Sequence, residues 1–198
     1  MKSIFALSFL LLTGSAFGKT APEISVGQVN GEFRSTVYKP DITQPSGYKT
    51  SSRKIQLNGV TTSIGVRTDL LSSLMLKTSV GTTSNFTEEL LNSDLYLQVA
   101  LQNVIYRFQP AGTPSGEHFY LSFGVSGNQL DTTEGYINSL GLLAGLGFGH
   151  FSEGLGFNLE VDQNESMQAN DLDVGAGVVN KGNQLSFLRY TAAISYQL

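Results

Sequence analysis

The stretch that decides the fold is the last one in the chain, 186-SFLRYTAAISYQL-198. From Leu188 onward every second residue is apolar or aromatic, and the residues between them are polar or small. Side chains alternate between the two faces of a β-strand, so this period predicts a strand with one apolar face. The pattern continues to Leu198, whereas the last residues of soluble domains usually fray.

The first 18 residues have the features of a secretory signal peptide. Lys2 precedes an apolar run from Ile4 to Leu12, and Ala16-Phe17-Gly18 fits a small-x-small cleavage site. The apolar run is shorter than the ~20 residues of a membrane-spanning helix. We therefore predict a signal peptide over 1–18 and one domain over 19–198. The chain has no cysteine, which excludes a disulfide scaffold.

Composition favours a chain that faces lipid. Charged residues make up 14% of the sequence, against roughly 25% in soluble domains, and 22 of the 198 residues are glycine. The formal charge of −4 becomes −5 when Lys2 is removed with the signal peptide. An acidic chain without a basic cluster in its sequence argues against nucleic acid as a partner.

Period-two patterns predict eight strands and no amphipathic helix. The clearest examples are HFYLSFGVSG, SLMLKTSVG and GLGFNLEVD, and the glycines of SLGLLAGLGFG favour a strand because glycine costs a helix about 1 kcal/mol. The alternation changes phase at Asn58-Gly59 and again between Leu101 and Val104, which predicts a β-bulge at each place. Four residues predicted to face acyl chains are Leu121, Leu142, Leu159 and Ile194.

The predicted connections alternate in length, with long polar segments after odd strands and shorter ones after even strands. This asymmetry is typical of transmembrane β-barrels, which have short periplasmic turns and longer extracellular loops. Lipid offers no hydrogen bonds, so a sheet in the membrane must close on itself. The fold class predicted is therefore all-β, an eight-stranded antiparallel up-and-down transmembrane barrel whose last strand pairs with its first. A soluble, secreted β-barrel or sandwich is the alternative, and it would hold its apolar residues inside.

The mature chain resembles the small eight-stranded outer-membrane barrels of the OmpA/OmpX type. The most specific feature is the C-terminal pattern, in which a leucine stands where the class carries a terminal aromatic residue. The resemblance implies a place in the outer membrane of Gram-negative type, contact with outer-membrane lipids, and recognition of this strand by the barrel-assembly machinery. The residues of that C-terminal assembly signal are Tyr190, Ala192, Ile194, Tyr196 and Leu198.

The interior of an eight-stranded barrel is only wide enough for side chains to fill it, which argues against a general porin. Buried charges persist when they are paired. From parity we predict an ionic network in the lumen, in which an estimated strand register places Arg189 opposite Glu32 on one side and near Asp162 on the other. The network comprises Glu32, Lys77, Glu160, Asp162 and Arg189.

The expected function is structural, or a surface interaction through four extracellular loops that contact an external ligand. One alternative is a narrow channel for small or apolar solutes. A second alternative is a lipid-modifying enzyme, because HFSEG places His150, Ser152 and Glu153 close together in the manner of outer-membrane deacylases. That segment is predicted to be a turn at the periplasmic end, away from a substrate in the outer leaflet, so no catalytic residue is predicted.

His118 and His150 are expected on opposite faces of neighbouring strands. This parity argues against a shared metal site. We therefore predict neither a metal site nor a cofactor.

Overall fold

The computed structural model describes residues 19–84, 96–109, 116–133 and 135–197. The predicted signal peptide and Leu198 lie outside these residues. One antiparallel sheet contains all the strands. They are β1 (Thr20–Pro40), β2 (Tyr48–Leu71), β3 (Leu74–Ser84), β4 (Tyr96–Phe108), β5 (Glu117–Thr132), β6 (Gly135–Ser152), β7 (Leu155–Ala169), β8 (Leu172–Gly175) and β9 (Val178–Tyr196).

Eight long strands close into the predicted barrel. Each of β1 to β7 pairs with the next long strand, and β9 pairs with both β7 and β1. The ninth strand, β8, has four residues and pairs with the start of β9. We call the end of the barrel with Thr20 and Tyr196 the terminal end, and the end with the 41–47 turn the distal end. Within the described residues there is no helix long and apolar enough to cross a membrane.

An outward-facing apolar band surrounds the barrel near its terminal end. All four residues predicted to face acyl chains point outward, with Leu121 54% exposed and Leu142 39% exposed. Leu159 and Ile194 are exposed to similar extents, 47% and 59%. In β6 the band runs from Leu140 to Phe148, a rise of about 26 Å along the strand. At a strand tilt near 40° this gives roughly 20 Å along the membrane normal, comparable to the ~25 Å band of transmembrane barrels.

The strands continue far beyond this band at the distal end. A transmembrane strand needs about 10 residues, whereas β2 has 24 and β1 has 21. The predicted long connections are therefore wrong in their described parts: the one after β1 is reduced to residues 41–47, and β5 ends at Thr132 while β6 begins at Gly135. The segments 85–95 and 110–115, which complete two other predicted connections, lie outside the described residues.

The polarity of the barrel inverts above the band. In the band, apolar side chains face outward. At the distal end they face inward, and six strands contribute to one cluster: Val29, Phe33, Ile55, Leu57, Leu130, Ile137, Leu172, Leu185 and Phe187. Water surrounds a barrel wall that has left the lipid, so apolar residues there are stable when they pack inside.

The inverted polarity explains why the bulge predicted at Asn58-Gly59 is absent. The pairing of β1 with β2 is continuous from Thr20 to Pro40, so no extra residue is inserted at Asn58-Gly59. The phase changes there because Leu57 belongs to the distal core and Val60 to the lipid-facing band. The predicted bulge in β4 is confirmed, since the register shifts by one residue against both β3 and β5.

Candidate functional site

The interior of the band contains a cluster of four charged side chains. Lys77 of β3 donates to Glu160 of β7 across the barrel at 3.2 Å and to Glu23 of β1 at 2.9 Å. Arg67 of β2 pairs with Glu23 and lies 3.6 Å from Glu160. All four are at most 8% exposed. Two cations and two carboxylates give a neutral set, which is the condition under which buried charges are tolerated.

Two polar residues of β5 complete the environment of Glu160. The hydroxyl of Tyr120 donates to Oε2 and that of Ser122 to Oε1, each at 3.2 Å. The ring of Tyr120 also lies 5.2 Å from the guanidinium carbon of Arg67, a cation–π distance. Glu160 thus accepts hydrogen bonds from two strands, β3 and β5, and forms an ion pair with Arg67 of a third, so the ionic cluster connects opposite walls of the barrel.

Inward glycines on β6 make room for these side chains. A Cβ on Gly147 would stand 2.3 Å from Cζ of Tyr120, and one on Gly145 would stand 2.7 Å from Oγ of Ser122. The other two inward glycines of this strand, Gly141 and Gly149, approach polar side chains as closely. The absence of a side chain at these four positions therefore allows close packing inside the barrel.

A second ion pair lies nearer the distal end. Nε and a terminal nitrogen of Arg189 both lie 2.8 Å from Oδ1 of Asp162, its direct partner between β9 and β7. The predicted contact between Arg189 and Asp162 is confirmed. The predicted contact between Arg189 and Glu32 is wrong, because β1 places Val29 opposite Arg189, three residues away from Glu32.

Glu32 lies on the outer face of the barrel. The odd residues of β1 point inward at the distal end because Val29 and Phe33 belong to the apolar core, so the even residues face water. Glu32 pairs there with Arg34 and, at 2.6 Å, with Lys54. The hydrogen bond from Lys54 is the main reason that the pKa of Glu32 lies below its usual value near 4.5.

A layer of amides separates the ionic cluster from the distal core. Asn164 donates to Asn128 at 2.7 Å, and the hydroxyl of Ser126 donates to Asn164 at 3.2 Å. Asn128 in turn donates to the hydroxyls of Ser126 and Ser139. From the ionic cluster toward the distal end, the interior therefore passes from charged to uncharged polar to apolar side chains.

The two histidines occupy the faces predicted for them. His118 points inward and is 6% exposed, and its Nδ1 lies 3.4 Å from the carbonyl oxygen of Gly116. His150 is exposed on the outer face of β6, opposite Glu117. Among the described residues there is no group of three His, Asp or Glu side chains that could hold a metal ion.

The HFSEG segment is a tight hairpin turn at the terminal end. Ser152 pairs with Leu155, and the two residues between them, Glu153 and Gly154, have positive φ angles of 50° and 87°. This is the backbone of a type I′ turn, which matches the twist of the flanking strands. His150, Ser152 and Glu153 are all exposed.

The C-terminal strand has the face on which the predicted assembly signal depends. Tyr190, Ile194 and Tyr196 are 45–59% exposed on the outer surface, and Ala192 lies between them on the same face. The face is confirmed, and the role in assembly stays a prediction.

Sequence reasoning missed two members of the ionic cluster, Glu23 and Arg67. Both are on the face predicted from the local period, because Ile24 and Val66 next to them are apolar and outward. The sequence feature that could have identified them is a charged residue within a segment whose alternate residues are apolar.

Comparison with solved structures gives the class of the fold. The crystal structure of Neisserial surface protein A (NspA) aligns with a TM-score of 0.58 and 14% sequence identity, covering 90% of this chain and 99% of that chain. The N-terminal β-barrel domain of Pseudomonas aeruginosa OprF aligns at 0.44 with 17% identity, covering 87% and 99% of the two chains. The attachment invasion locus protein Ail of Yersinia pestis, solved with the heparin analogue sucrose octasulfate, aligns at 0.44 with 12% identity, covering 92% and 100%.

The chain therefore has the fold of the small eight-stranded outer-membrane β-barrels, as the resemblance to the OmpA/OmpX type predicted. No protein-family model matches the chain, and no curated protein does.

Proposed function

We propose that this protein is an integral outer-membrane barrel of Gram-negative type whose lumen is closed and whose distal end makes contacts outside the cell. The observation that carries the proposal is the distal apolar cluster, to which β1, β2, β5, β6, β8 and β9 all contribute. Phe33 and Phe187 in this cluster are each 1% exposed. Packed interiors leave few voids larger than a water molecule, so a core of this kind opposes the passage of solutes.

The layers beneath the core support the same proposal. The ionic cluster and the amide layer cross the interior from β7 to β1, β3 and β5 through direct side-chain contacts. Their geometry suits a structural role, because each group is held by partners on other strands. Opening a continuous water path would require breaking several of these contacts together.

We further propose that the distal end faces the exterior and the terminal end the periplasm. The described turns at the terminal end, 72–73 and 153–154, have two residues each, as periplasmic turns typically do. Outer-membrane lipids would surround the apolar band, and the barrel-assembly machinery would read the outward C-terminal pattern.

Planar-bilayer recording tests the closed lumen. The wild-type protein should show no discrete conductance steps, whereas the Phe33→Gly/Phe187→Gly variant, with two large core side chains removed, should show them. A matched control is Phe123→Gly, which removes a lipid-facing ring of the same size. Steady conductance through the wild-type barrel would support the narrow channel and contradict the proposal.

Protease treatment of intact cells tests the orientation. Cleavage should occur within 41–47, where Asp41 to Gly47 form the described distal turn. Cleavage confined to 153–154 would show that the barrel has the opposite orientation in the membrane.

We propose no catalytic activity for the HFSEG turn. Ser152 and His150 are exposed at the terminal end, and the turn conformation places Glu153 at the hairpin tip. Lipid extracts from cells that produce the Ser152→Ala variant should match those from cells with the wild type. Loss of a lipid modification in the variant alone would show an enzyme.

A further inference from the structure

A cavity of about 110 Å³ lies inside the barrel at the terminal end, next to the ionic cluster. We call it the terminal cavity. Its floor is formed by five residues that are each at most 6% exposed: Arg67, Met75, His118, Asn158 and Ser195. A water molecule needs roughly 10–15 Å³ of such space, so the cavity has room for about eight of them. Packed interiors have few voids of this size, which makes the cavity a candidate binding site.

Two inward glycines leave room for the cavity. Gly149 lies between His118 and Asn158 in the paired row of β5, β6 and β7. A Cβ on Gly149 would stand 2.6 Å from both Nε2 of His118 and Oδ1 of Asn158. Gly156 is the direct partner of Ser195 between β7 and β9, and a Cβ there would collide with Oγ of that serine. The absence of side chains at these two positions therefore leaves the polar floor of the cavity uncovered.

Two polar side chains of the floor have no partner in the protein. The amide of Asn158 and the hydroxyl of Ser195 make no hydrogen bond within the part of the chain that the structure describes, although both residues are at most 4% exposed. Buried polar groups are normally bonded to protein, to ordered water or to a ligand. Each of these two groups can both donate and accept a hydrogen bond. The floor is therefore suited to a polar group that enters the cavity.

The rim of the cavity carries an excess of positive charge. A terminal nitrogen of Arg107 lies 3.4 Å from Asp69 and 3.3 Å from the carbonyl oxygen of Ser72, so this rim pair is neutral. Arg67 is neutralised by the carboxylates of the ionic cluster. Exposed Lys19 has no carboxylate partner among the described residues. The excess is therefore about +1, which favours a ligand with a single negative charge.

The rest of the wall is apolar. Met75 and Phe151 both line the cavity, and the ring of Phe151 lies over Gly156. An apolar wall beside hydrogen-bonding groups is typical of sites for small organic molecules. A short carboxylic acid meets all three conditions, because it has one charge, two hydrogen-bond acceptors and a hydrocarbon part. Inorganic phosphate carries more charge and has no apolar part.

We propose that the terminal cavity binds a small organic monocarboxylate of up to about eight non-hydrogen atoms, one for each water that it displaces. Lys19 attracts the carboxylate, Asn158 and Ser195 donate to its oxygens, and Met75 and Phe151 contact its hydrocarbon part. The inference rests on the proposed orientation for the source of the ligand, which is then the periplasm. So few atoms give an affinity in the millimolar range.

The test uses the folded protein, without an added histidine tag, in neutral detergent micelles. Propionate is the probe and propionamide is its uncharged control. The chain has two histidines, so protein labelled at histidine gives two imidazole signals in nuclear magnetic resonance spectra. Propionate at constant pH should shift the signal of His118, which lines the cavity, and leave that of exposed His150 unchanged. Propionamide should bind at least tenfold more weakly.

Variants separate the charge of the rim from the hydrogen bonds of the floor. Lys19→Gln should weaken propionate binding at least threefold, and Asn158→Ala/Ser195→Ala should weaken it at least tenfold. Lys181→Gln, which removes an exposed cation at the distal end, is the matched control and should bind as the wild type does. Lys19 precedes the first strand, so its substitution leaves the strand pairing intact and the test holds even if the double variant does not fold.

Other outcomes would overturn the proposal. An unchanged His118 signal at every propionate concentration would show that the cavity holds water only, and equal shifts of both histidines would show a nonspecific effect. Equal binding by the wild type and Lys19→Gln, or equal binding of propionate and propionamide, would exclude a carboxylate site. Tighter binding of phosphate than of propionate would indicate a site for inorganic anions. Conductance recordings and cleavage of intact cells are independent of these results, so a failure here is distinguishable from a failure of the closed lumen or of the orientation.

Discussion

Substituting Glu160 by glutamine removes the charge on which the ionic cluster depends while keeping the shape of the side chain. The wild-type carboxylate accepts from Lys77, Tyr120 and Ser122, each at 3.2 Å, and lies 3.6 Å from Arg67. In the variant, Glu23 alone faces two buried cations. The cluster then carries an uncompensated positive charge in a region where each member is at most 8% exposed.

The expected loss in the free energy of unfolding is about 3–5 kcal/mol, the usual effect of removing one partner of a buried ion pair. At 1.4 kcal/mol per factor of ten, even the lower figure changes the unfolding equilibrium more than 100-fold. Adding Lys77→Met restores neutrality, with Glu23 and Arg67 as the remaining pair. The double variant should therefore be more stable than the sum of the two single losses by on the order of 2 kcal/mol.

Urea unfolding in lipid vesicles, followed by far-ultraviolet circular dichroism because the chain has no tryptophan, measures these differences. Glu165→Gln is the matched control, since Glu165 is an exposed carboxylate on the same strand with hydrogen bonds from Gln163 and Ser186. Its loss should stay within about 1 kcal/mol, the value of an ordinary hydrogen bond. If Glu160→Gln costs no more than Glu165→Gln, or if the double variant is additive, the cluster does not stabilise the barrel as argued.

Three further predictions concern the packing, the lipid face and the titration of the outer surface. Gly147→Ala should destabilise the barrel by about 1–3 kcal/mol because its Cβ collides with Tyr120, whereas Gly127→Ala, with no atom within 4 Å of the new Cβ, should be neutral in the same urea experiment. Leu142→Arg should lower the free energy of unfolding by about 2–4 kcal/mol, the cost of arginine on the lipid face at mid-membrane. An unchanged free energy of unfolding in vesicles would show that Leu142 does not face lipid. The pKa of Glu32 is lowered in the folded state, so the stability that its ion pairs add is present above the usual value near 4.5 and lost as the pH falls through the lowered pKa. Glu32→Gln should abolish this pH dependence of stability in the same urea experiment.

The membrane-embedded half of the fold could be predicted from the sequence because lipid imposes a strict rule. Every outward residue must be apolar and every strand must find a partner, so a period of two identifies the faces. Leu121, Leu159 and Ile194 all lie where the period places them. The same rule predicts closure of β9 onto β1, which the structure shows.

The distal half could not be predicted in the same way. The surroundings change there from lipid to water, and no feature of the sequence pattern marks the position of the change. Polar residues such as Gln28 and Glu32 look like a lumen face when the whole strand is assumed to cross lipid. They are outward because Val29 and Phe33 pack in a core surrounded by water. The register between β1 and β9 was also estimated wrongly. The estimate was three residues off, so it placed Glu32 opposite Arg189 where the structure has Val29.

The inverted polarity has a consequence for how the distal hairpin meets a partner. An extracellular loop without a core would lose conformational entropy when it binds, at a cost of roughly 1–2 kcal/mol for each residue that becomes fixed. The β1–β2 hairpin is already fixed, because Phe33 and Ile55 are buried in the distal core and the strands pair from Thr20 to Pro40 without a break. Its exposed side chains are therefore held at constant spacing before any partner arrives, and preorganised groups retain more of their interaction energy as affinity. On this argument Ile55→Gly, which removes a core side chain beneath the hairpin, should increase protease cleavage within 41–47 on intact cells, and restoration of the wild-type cleavage rate by Ile55→Val would attribute the change to the core.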